Sequence, residues 1–301
     1  MLNIDKLFEA VAEKGHVCVG LDTAPEYIPE NASRLAASGA EAVLDYNMAL
    51  IEATFDTAAC YKVQIAYYEE MGIAGLETYA KTLKRIRQKN GIVIADIKRG
   101  DIADTALRYA KAHFSGDFEA DFVTLNPYMG MDSIEPWQQE ALKYEKGAFV
   151  LMRTSNQGMK DFQKLTVKSE QSTGTCKRVF HIVGDKMSAL AKNHSGKHGY
   201  GIFGVVVGCT EREEAAEIRQ NFPELFFLIP GYGAQGGGAN DAALLLRNGN
   251  GGVVNASRSI ITAWQKAENN EQETVNNIFA AKAARYATIK MRDEILEAIK
   301  K

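Results

Sequence analysis

The sequence predicts an α/β fold, a (β/α)8 TIM barrel. Three observations carry this. Short apolar runs alternate eight times with stretches of helical period along 301 residues. The runs are continuously apolar and rich in Val, Ile and Cys, as strands buried on both faces of a parallel sheet must be. Polar and charged residues collect where the runs stop: Asp22, Lys62, Asp96, Lys98, Asn126, Ser155, Gln235 and Arg258. In a barrel of this kind the carboxyl ends of the strands build the active site. A doubly wound open sheet meets the first two observations and stands as the structural alternative.

Taken in order, residues 2–13 read as a leading helix with Leu2, Leu7, Phe8 and Val11 on one side. Val17-Cys18-Val19-Gly20-Leu21-Asp22 is strand one. Residues 31–59 are helical by period and composition. Cys60 to Ile65 is strand two, with Lys62 inside it, and 75–89 a helix whose basic tail suits the dipole. Gly91 to Ala95 begins strand three and 105–113 is its helix. Strand four is 120–125, stopped by Asn126-Pro127-Tyr128; helix 133–144 and strand five, 148–152, follow. Residues 157–176 are polar and read as an insertion or mobile loop, with a helix at 179–192 and a polar loop at 193–200. Strand six is 203–208, and Thr210 is placed to cap a helix over 211–220. Strand seven is 225–229, then a glycine-rich loop and a short helix at 241–247. Strand eight is 252–256, and a closing helix covers 273–300. The expectation is a single domain over residues 1–301, with an extra N-terminal helix and an insertion after strand five.

A hydrophobic content of 46% supports a full core, and a net charge of −3 gives no general attraction to nucleic acid or anionic membrane. Groups that bind an anion must be local. Cys18, Cys60, Cys176 and Cys209 lack CxxC spacing, and three lie in or beside apolar runs, so they read as thiols in a reducing compartment. No apolar run reaches the roughly 20 residues of a membrane span, and residues 1–14 carry acids unlike a signal peptide. A cytoplasmic protein is expected. Five dispersed histidines offer no metal cluster; His194 and His198 flank a Ser-Gly turn and read as solvated loop residues.

The stretch Asp96-Ile97-Lys98-Arg99-Gly100-Asp101 places charges where strand three ends. Asp96 and Lys98, two apart, share a face. Buried charge is costly unless paired, so the alternation fits either a solvated strand end with a helix-capping Asp101 or charges that neutralise one another for chemistry. If the strand ends converge, Lys62, Asp96, Lys98 and Asp101 form a row of alternating sign. Such a row keeps Lys98 protonated as a proton donor. It also disfavours an anionic substrate group beside a fixed carboxylate relative to a state that has lost it, which suits decarboxylation. A Schiff-base lysine is the alternative, but it needs a depressed pKa that flanking carboxylates oppose. Pro230-Gly231-Tyr232-Gly233-Ala234-Gln235-Gly236-Gly237-Gly238 after strand seven and Ser257-Arg258-Ser259 after strand eight occupy the usual phosphate position of a barrel. A merely flexible glycine loop is the plainer reading.

These residues carry a resemblance. Asp96-Ile97-Lys98-Arg99-Gly100-Asp101-Ile102 with Thr105 resembles the Asp-x-Lys-x-x-Asp-Ile-x-x-Thr signature of the orotidine 5′-phosphate decarboxylase family, in its longer bacterial-type branch. Leu21-Asp22, Lys62 to Glu69 (with Val63 where proline is usual), Thr124 to Gly130, Arg153-Thr154-Ser155-Asn156, the glycine-rich loop and Ser257-Arg258-Ser259-Ile260 extend it over nearly the whole chain. The resemblance implies cofactor-free decarboxylation of orotidine 5′-phosphate to uridine 5′-phosphate, with no metal, in pyrimidine biosynthesis. It implies that Lys98 protonates C6 as carbon dioxide leaves and that Asp96 sits beside the departing carboxylate. Lys62 and Asp22 bind ribose hydroxyls, and Ser155 bonds the pyrimidine. Gln235 and Arg258 hold the phosphate, with Ser257 and Asn126 as further substrate contacts. Asp101 and Thr105 reach across a homodimer interface into the neighbour's site. Two rivals stay open: a magnesium-dependent sugar-phosphate decarboxylase or hexulose phosphate synthase of the same superfamily, and a non-catalytic phosphonucleotide-binding barrel. The resemblance leaves the role of residues 157–200 open.

Overall fold

The computed structural model describes residues 1–168, 176–233, 236–267 and 274–301. Eight parallel strands close into a barrel: Val17–Gly20, Cys60–Gln64, Val93–Arg99, Phe122–Leu125, Gly147–Arg153, Phe203–Val207, Phe227–Ile229 and Gly252–Ala256, numbered one to eight here. Each pairs with its sequence neighbours, and strand one closes on strand eight through Val17↔Val254, Cys18↔Asn255 and Val19↔Ala256. The open-sheet alternative is thereby replaced. Closure leaves no sheet edge, and the strands are buried almost throughout because helices cover the outside. Aromatic rings fill part of the core, with Phe122 and Phe149 5.2 Å apart and Phe149 and Phe226 6.4 Å apart.

The N-terminal helix, Asn3–Lys14, lies against the segments that lead into the strands. The Asn3 side chain donates to Asp121 Oδ1 (3.1 Å) just before strand four, and Asn250 before strand eight donates to the Phe8 carbonyl (3.2 Å). Asp121 also accepts from Val93 N–H at 3.0 Å. The helix thus closes the amino end of the barrel and leaves the carboxyl end open. His198, an exposed loop residue as the sequence predicts, also touches this helix: its ring stacks on Phe8 at 4.0 Å, and its backbone N–H reaches Asp5.

Four local readings are corrected. The predicted helix 31–59 is split into Glu30–Ser33 and Gly39–Thr54. Ser38 accepts from Glu41 N–H, and Glu41 reaches back to Ala37 N–H, so the local capping chemistry starts a new helix. Thr210 does not cap helix Arg212–Asn221; its hydroxyl turns toward the Ser155 carbonyl at 3.4 Å. The helix read at 241–247 runs Ala239–Ala243, because Asp241 accepts from Gly238 N–H and fixes the start there. The polar stretch after strand five holds a short helix, Met159–Phe162, and two antiparallel strands, Thr166–Lys168 and Cys176–Arg178, before helix Val179–Asn193. The described part of the predicted insertion therefore forms a layer of regular structure beside the carboxyl end. Cys18, Cys60 and Cys209 are buried free thiols and Cys176 is exposed.

Candidate active site

Strands one to three deliver a continuous ionic row. Lys62 Nζ lies 3.0 Å from Asp22 Oδ1 and 3.0 Å from Asp96 Oδ2, and Lys98 Nζ donates to Asp96 Oδ1 at 2.7 Å. The register explains the meeting: Lys62 pairs with Gly20 on strand one, and Gln64 pairs with Asp96 on strand three, so strand two sits between both acids. Asp96 is saturated. Besides the two lysines it accepts from Gln64 Nε2 (2.9 Å) and Thr124 Oγ1 (2.7 Å). Asp22 also accepts from Ser257 Oγ at 2.8 Å.

Burial shapes the charges. Burial alone pulls the Lys62 ammonium toward neutrality, but Asp22 and Asp96 outweigh it and hold its pKa well above the ordinary lysine value. Asp96 is likewise penalised by burial, yet Lys62 and Lys98 drive its carboxyl well below the usual range. Two lysines and two carboxylates cancel, which is what makes the row tolerable in a nearly dry setting. Lys98 differs from Lys62: its side chain is 46% exposed against 6%, so its ammonium faces the cavity.

Lys98 has a left-handed backbone, φ +44°, rare for a residue with a Cβ. The neighbouring strand holds it there: Thr124 Oγ1 accepts from both Ile97 N–H and Lys98 N–H at 3.0 Å while donating to Asp96. The strain coincides with a register shift between Ala95 and Arg99 against strand four. Thr124 opens one of the motifs that carry the resemblance but has no role assigned there, since a threonine inside an apolar strand reads as an ordinary β-former.

The row borders a cavity of about 560 Å³ at the carboxyl end of the barrel. Asp22, Lys62, Asp96, Lys98, Ser155, Ser257 and Arg258 line it, as the sequence predicts. Gln64, Thr124, Asn255 and Tyr232 line it too; Gln64, Thr124 and Tyr232 fall within the motifs that carry the resemblance but have no role assigned there, and Asn255 falls outside them. Asn255 is 8% exposed, and its Oδ1 has no hydrogen-bond partner among the described residues. Tyr232, on the glycine-rich loop, donates to Glu294 at 2.6 Å. Gln235 lies outside the described residues.

Three predicted residues lie elsewhere. Asn126 is exposed, and its side chain accepts from Tyr128 N–H at 3.0 Å, closing its own turn instead of facing the cavity. Asp101 does not join the row within its own chain; its carboxylate accepts from Ile102 N–H at 2.9 Å. Thr105 is exposed on helix Ala103–Phe114.

A closed parallel barrel with an ionic row and a glycine-rich loop at its carboxyl rim has the build of a TIM-barrel enzyme. The chain belongs to the orotidine 5′-phosphate decarboxylase / HUMPS family, whose profile matches residues 15–272. It is 53% identical over 297 residues to orotidine 5′-phosphate decarboxylase of Clostridium perfringens (strain SM101 / Type A), covering 99% of both chains. It is 53% identical over 292 residues to the Clostridium acetobutylicum protein of the same name, covering 97% of this chain and 98% of that one. Among solved structures, Leishmania donovani OMP decarboxylase superposes with a TM-score of 0.75 at 29% identity, covering 100% of both chains. No described helix is long and apolar enough to cross a membrane.

Proposed function

We propose that this protein is a carboxy-lyase that converts orotidine 5′-phosphate to uridine 5′-phosphate and carbon dioxide, a step of pyrimidine biosynthesis. The observation that carries the reading is the Asp22–Lys62–Asp96–Lys98 row at the cavity, in a chain 53% identical to enzymes of that name. Asp96 is fixed as an anion by its partners, so a substrate carboxylate seated beside it is disfavoured, and the disfavour ends when carbon dioxide departs. The C6–carboxylate bond breaks, its electron pair stays on C6, and C6 takes a proton from Lys98 Nζ. Water then reprotonates the lysine. Lys62, with two carboxylates within 3.0 Å, holds the row together and with Asp22 faces the ribose.

At the other end, Arg258 and Gln235 bind the phosphate, with Ser257 alongside, and Ser155 bonds the pyrimidine. The scheme draws on no metal or organic cofactor. We read the chain as one barrel unit, residues 1–301, working in the cytoplasm as a homodimer. Asp101 and Thr105 lie away from the cavity of their own chain, which supports their completing the site of the partner.

The test is the fall in ultraviolet absorbance of orotidine 5′-phosphate with chelator present. Turnover under these conditions supports the reading. Inertness toward this substrate, with magnesium-dependent turnover of a hexulose or keto-gulonate phosphate, would replace it by the sugar-phosphate branch of the family.

A further inference from the structure

The described layer between strands five and six puts into the cavity one side chain that no sequence motif singles out. Gln163 lies just beyond the short helix Met159–Phe162 and lines the cavity beside Thr154 and Ser155. Its amide engages Thr154 twice. Gln163 Oε1 accepts from Thr154 N–H at 2.8 Å, and Gln163 Nε2 donates to Thr154 Oγ1 at 2.8 Å. The Thr154 hydroxyl then donates to Asn156 Oδ1 at 2.6 Å, so the two residues flanking Ser155 are tied together.

The opposite side of Ser155 is equally constrained. A Cβ on Gly208, just past strand six, would fall 2.7 Å from Ser155 Cβ, so only glycine lets the two segments approach this closely. Thr210 Oγ1 reaches the Ser155 carbonyl. The layer carrying Gln163 is itself anchored: Lys164 pairs with Glu211 (2.6 Å) and Glu214 (3.2 Å), and Arg178 pairs with Glu214. Glu214 also lies 3.9 Å from Nε of the fully buried Arg153, at the end of strand five. The two ends of the insertion are thus pinned to one carboxylate, and Gln163 is held over the Thr154–Asn156 turn.

From this geometry we infer that Gln163 is a positioning residue that sets recognition of the pyrimidine by fixing the Ser155 turn. The inference rests on the reading of Ser155 as the pyrimidine contact. An amide suits the task because it offers one acceptor and one donor in a plane, matching the N–H and hydroxyl of a single threonine. Alanine at this position leaves both Thr154 groups to water and lets the turn drift. Two hydrogen bonds of ordinary net worth correspond to an effect on the order of tenfold. It falls on ligands that carry the base and spares those that carry only the phosphate.

The experiment measures dissociation constants of uridine 5′-phosphate and ribose 5-phosphate for wild type, Gln163→Ala and Ser155→Ala, with melting temperature recorded for each. The inference predicts that Gln163→Ala weakens uridine 5′-phosphate about tenfold, leaves ribose 5-phosphate within twofold and lowers the melting temperature by no more than about 3 °C. It also predicts a KM for orotidine 5′-phosphate raised more than kcat falls. Equal weakening of both ligands, or of neither, overturns it if Ser155→Ala still separates the two ligands. If Ser155→Ala fails to separate them, the assignment of Ser155 itself is wrong, and the inference falls with it. Gln163→Glu is the second variant. It keeps the acceptor for Thr154 N–H and loses the donor, so its effect on uridine 5′-phosphate should fall between wild type and alanine.

Discussion

Replacing Lys62 by Met removes the ammonium at the centre of the row while keeping most of the side-chain volume. Asp22 and Asp96 then face each other with no cation between them, Lys98 remaining on the far oxygen of Asp96. Two contacts of 3.0 Å put their oxygens no more than 6 Å apart. At an effective dielectric of about 20, like charges at that distance repel by roughly 2.8 kcal/mol. Loss of one partner from a buried ion pair costs about 3–5 kcal/mol in general, a range that begins just above this figure and sets the expected loss. For 301 residues an unfolding entropy of about 2.1 cal/mol/K per residue gives roughly 0.6 kcal/mol/K. The expected fall in melting temperature is therefore roughly 5–8 °C. Circular dichroism at pH 7 measures it. Lys62→Met combined with Asp22→Asn removes the repulsion and should recover about half the loss without restoring turnover. The sign with pH is fixed by the shifts. Asp96 titrates well below its unfolded value, so its contribution is present above about pH 4 and is lost as pH falls further. Lys62 titrates above its unfolded value, so its share is present below about pH 10 and is lost above its folded pKa. The row's contribution is flat between those limits. A fall under about 2 °C, or no recovery in the double variant, would refute the row as a mutually dependent unit.

His113 is 3% exposed among Phe118 and Trp137, and burial pushes its pKa down to about 4. Because it stays neutral when folded while the unfolded chain takes up a proton below about pH 6.5, stability should drop by up to roughly 3 kcal/mol from pH 7 to 4; His113→Phe should flatten that slope in urea titrations at each pH. A Cβ at Gly20 would lie 2.0 Å from Ser257 Oγ, so Gly20→Ala should displace the hydroxyl that serves Asp22. Its melting temperature should fall by a few degrees and partly recover with Ser257→Ala, which removes the hydroxyl and leaves the milder 2.9 Å approach of the Ser257 Cβ. Mixing Lys98→Ala with Asp101→Ala tests the proposed homodimer with shared sites: in such a dimer random exchange makes about half the pairs mixed, each with one complete site, so activity should return to about 25% of wild type. If Asp101 serves its own chain, the mixture stays inactive.

Much of the barrel was legible because parallel strands buried on both faces leave an apolar run, and their polar residues are confined to the ends. Asp22, Lys62, Asp96 and Lys98 were found by that rule, and the register brings them within hydrogen-bond reach. Thr124 and Gln163 escaped it for different reasons. The work of Thr124 depends on the bend at Lys98 in the adjacent strand, which nothing local to residue 124 encodes. Gln163 sits beside Lys164, which is held by long-range ion pairs to Glu211 and Glu214, partners about fifty residues away. Asn126 misled because an asparagine at a strand end serves a ligand or its own turn equally well, and here Tyr128 N–H takes it. The break at residues 34–38 was hidden by alanines that suit a continuous helix, until the Ser38–Glu41 cap interrupts them.

The most direct measurement compares wild type with Lys98→Ala for loss of orotidine 5′-phosphate absorbance in chelator, alongside uridine 5′-phosphate affinity and melting temperature. Lys98 is half exposed, so its loss should leave fold and affinity nearly intact. If Lys98 is the proton donor, kcat falls by at least about a thousandfold while the dissociation constant of the product stays within about tenfold. Turnover of Lys98→Ala within about tenfold of wild type would contradict the assignment and move the proton to another group of the cavity.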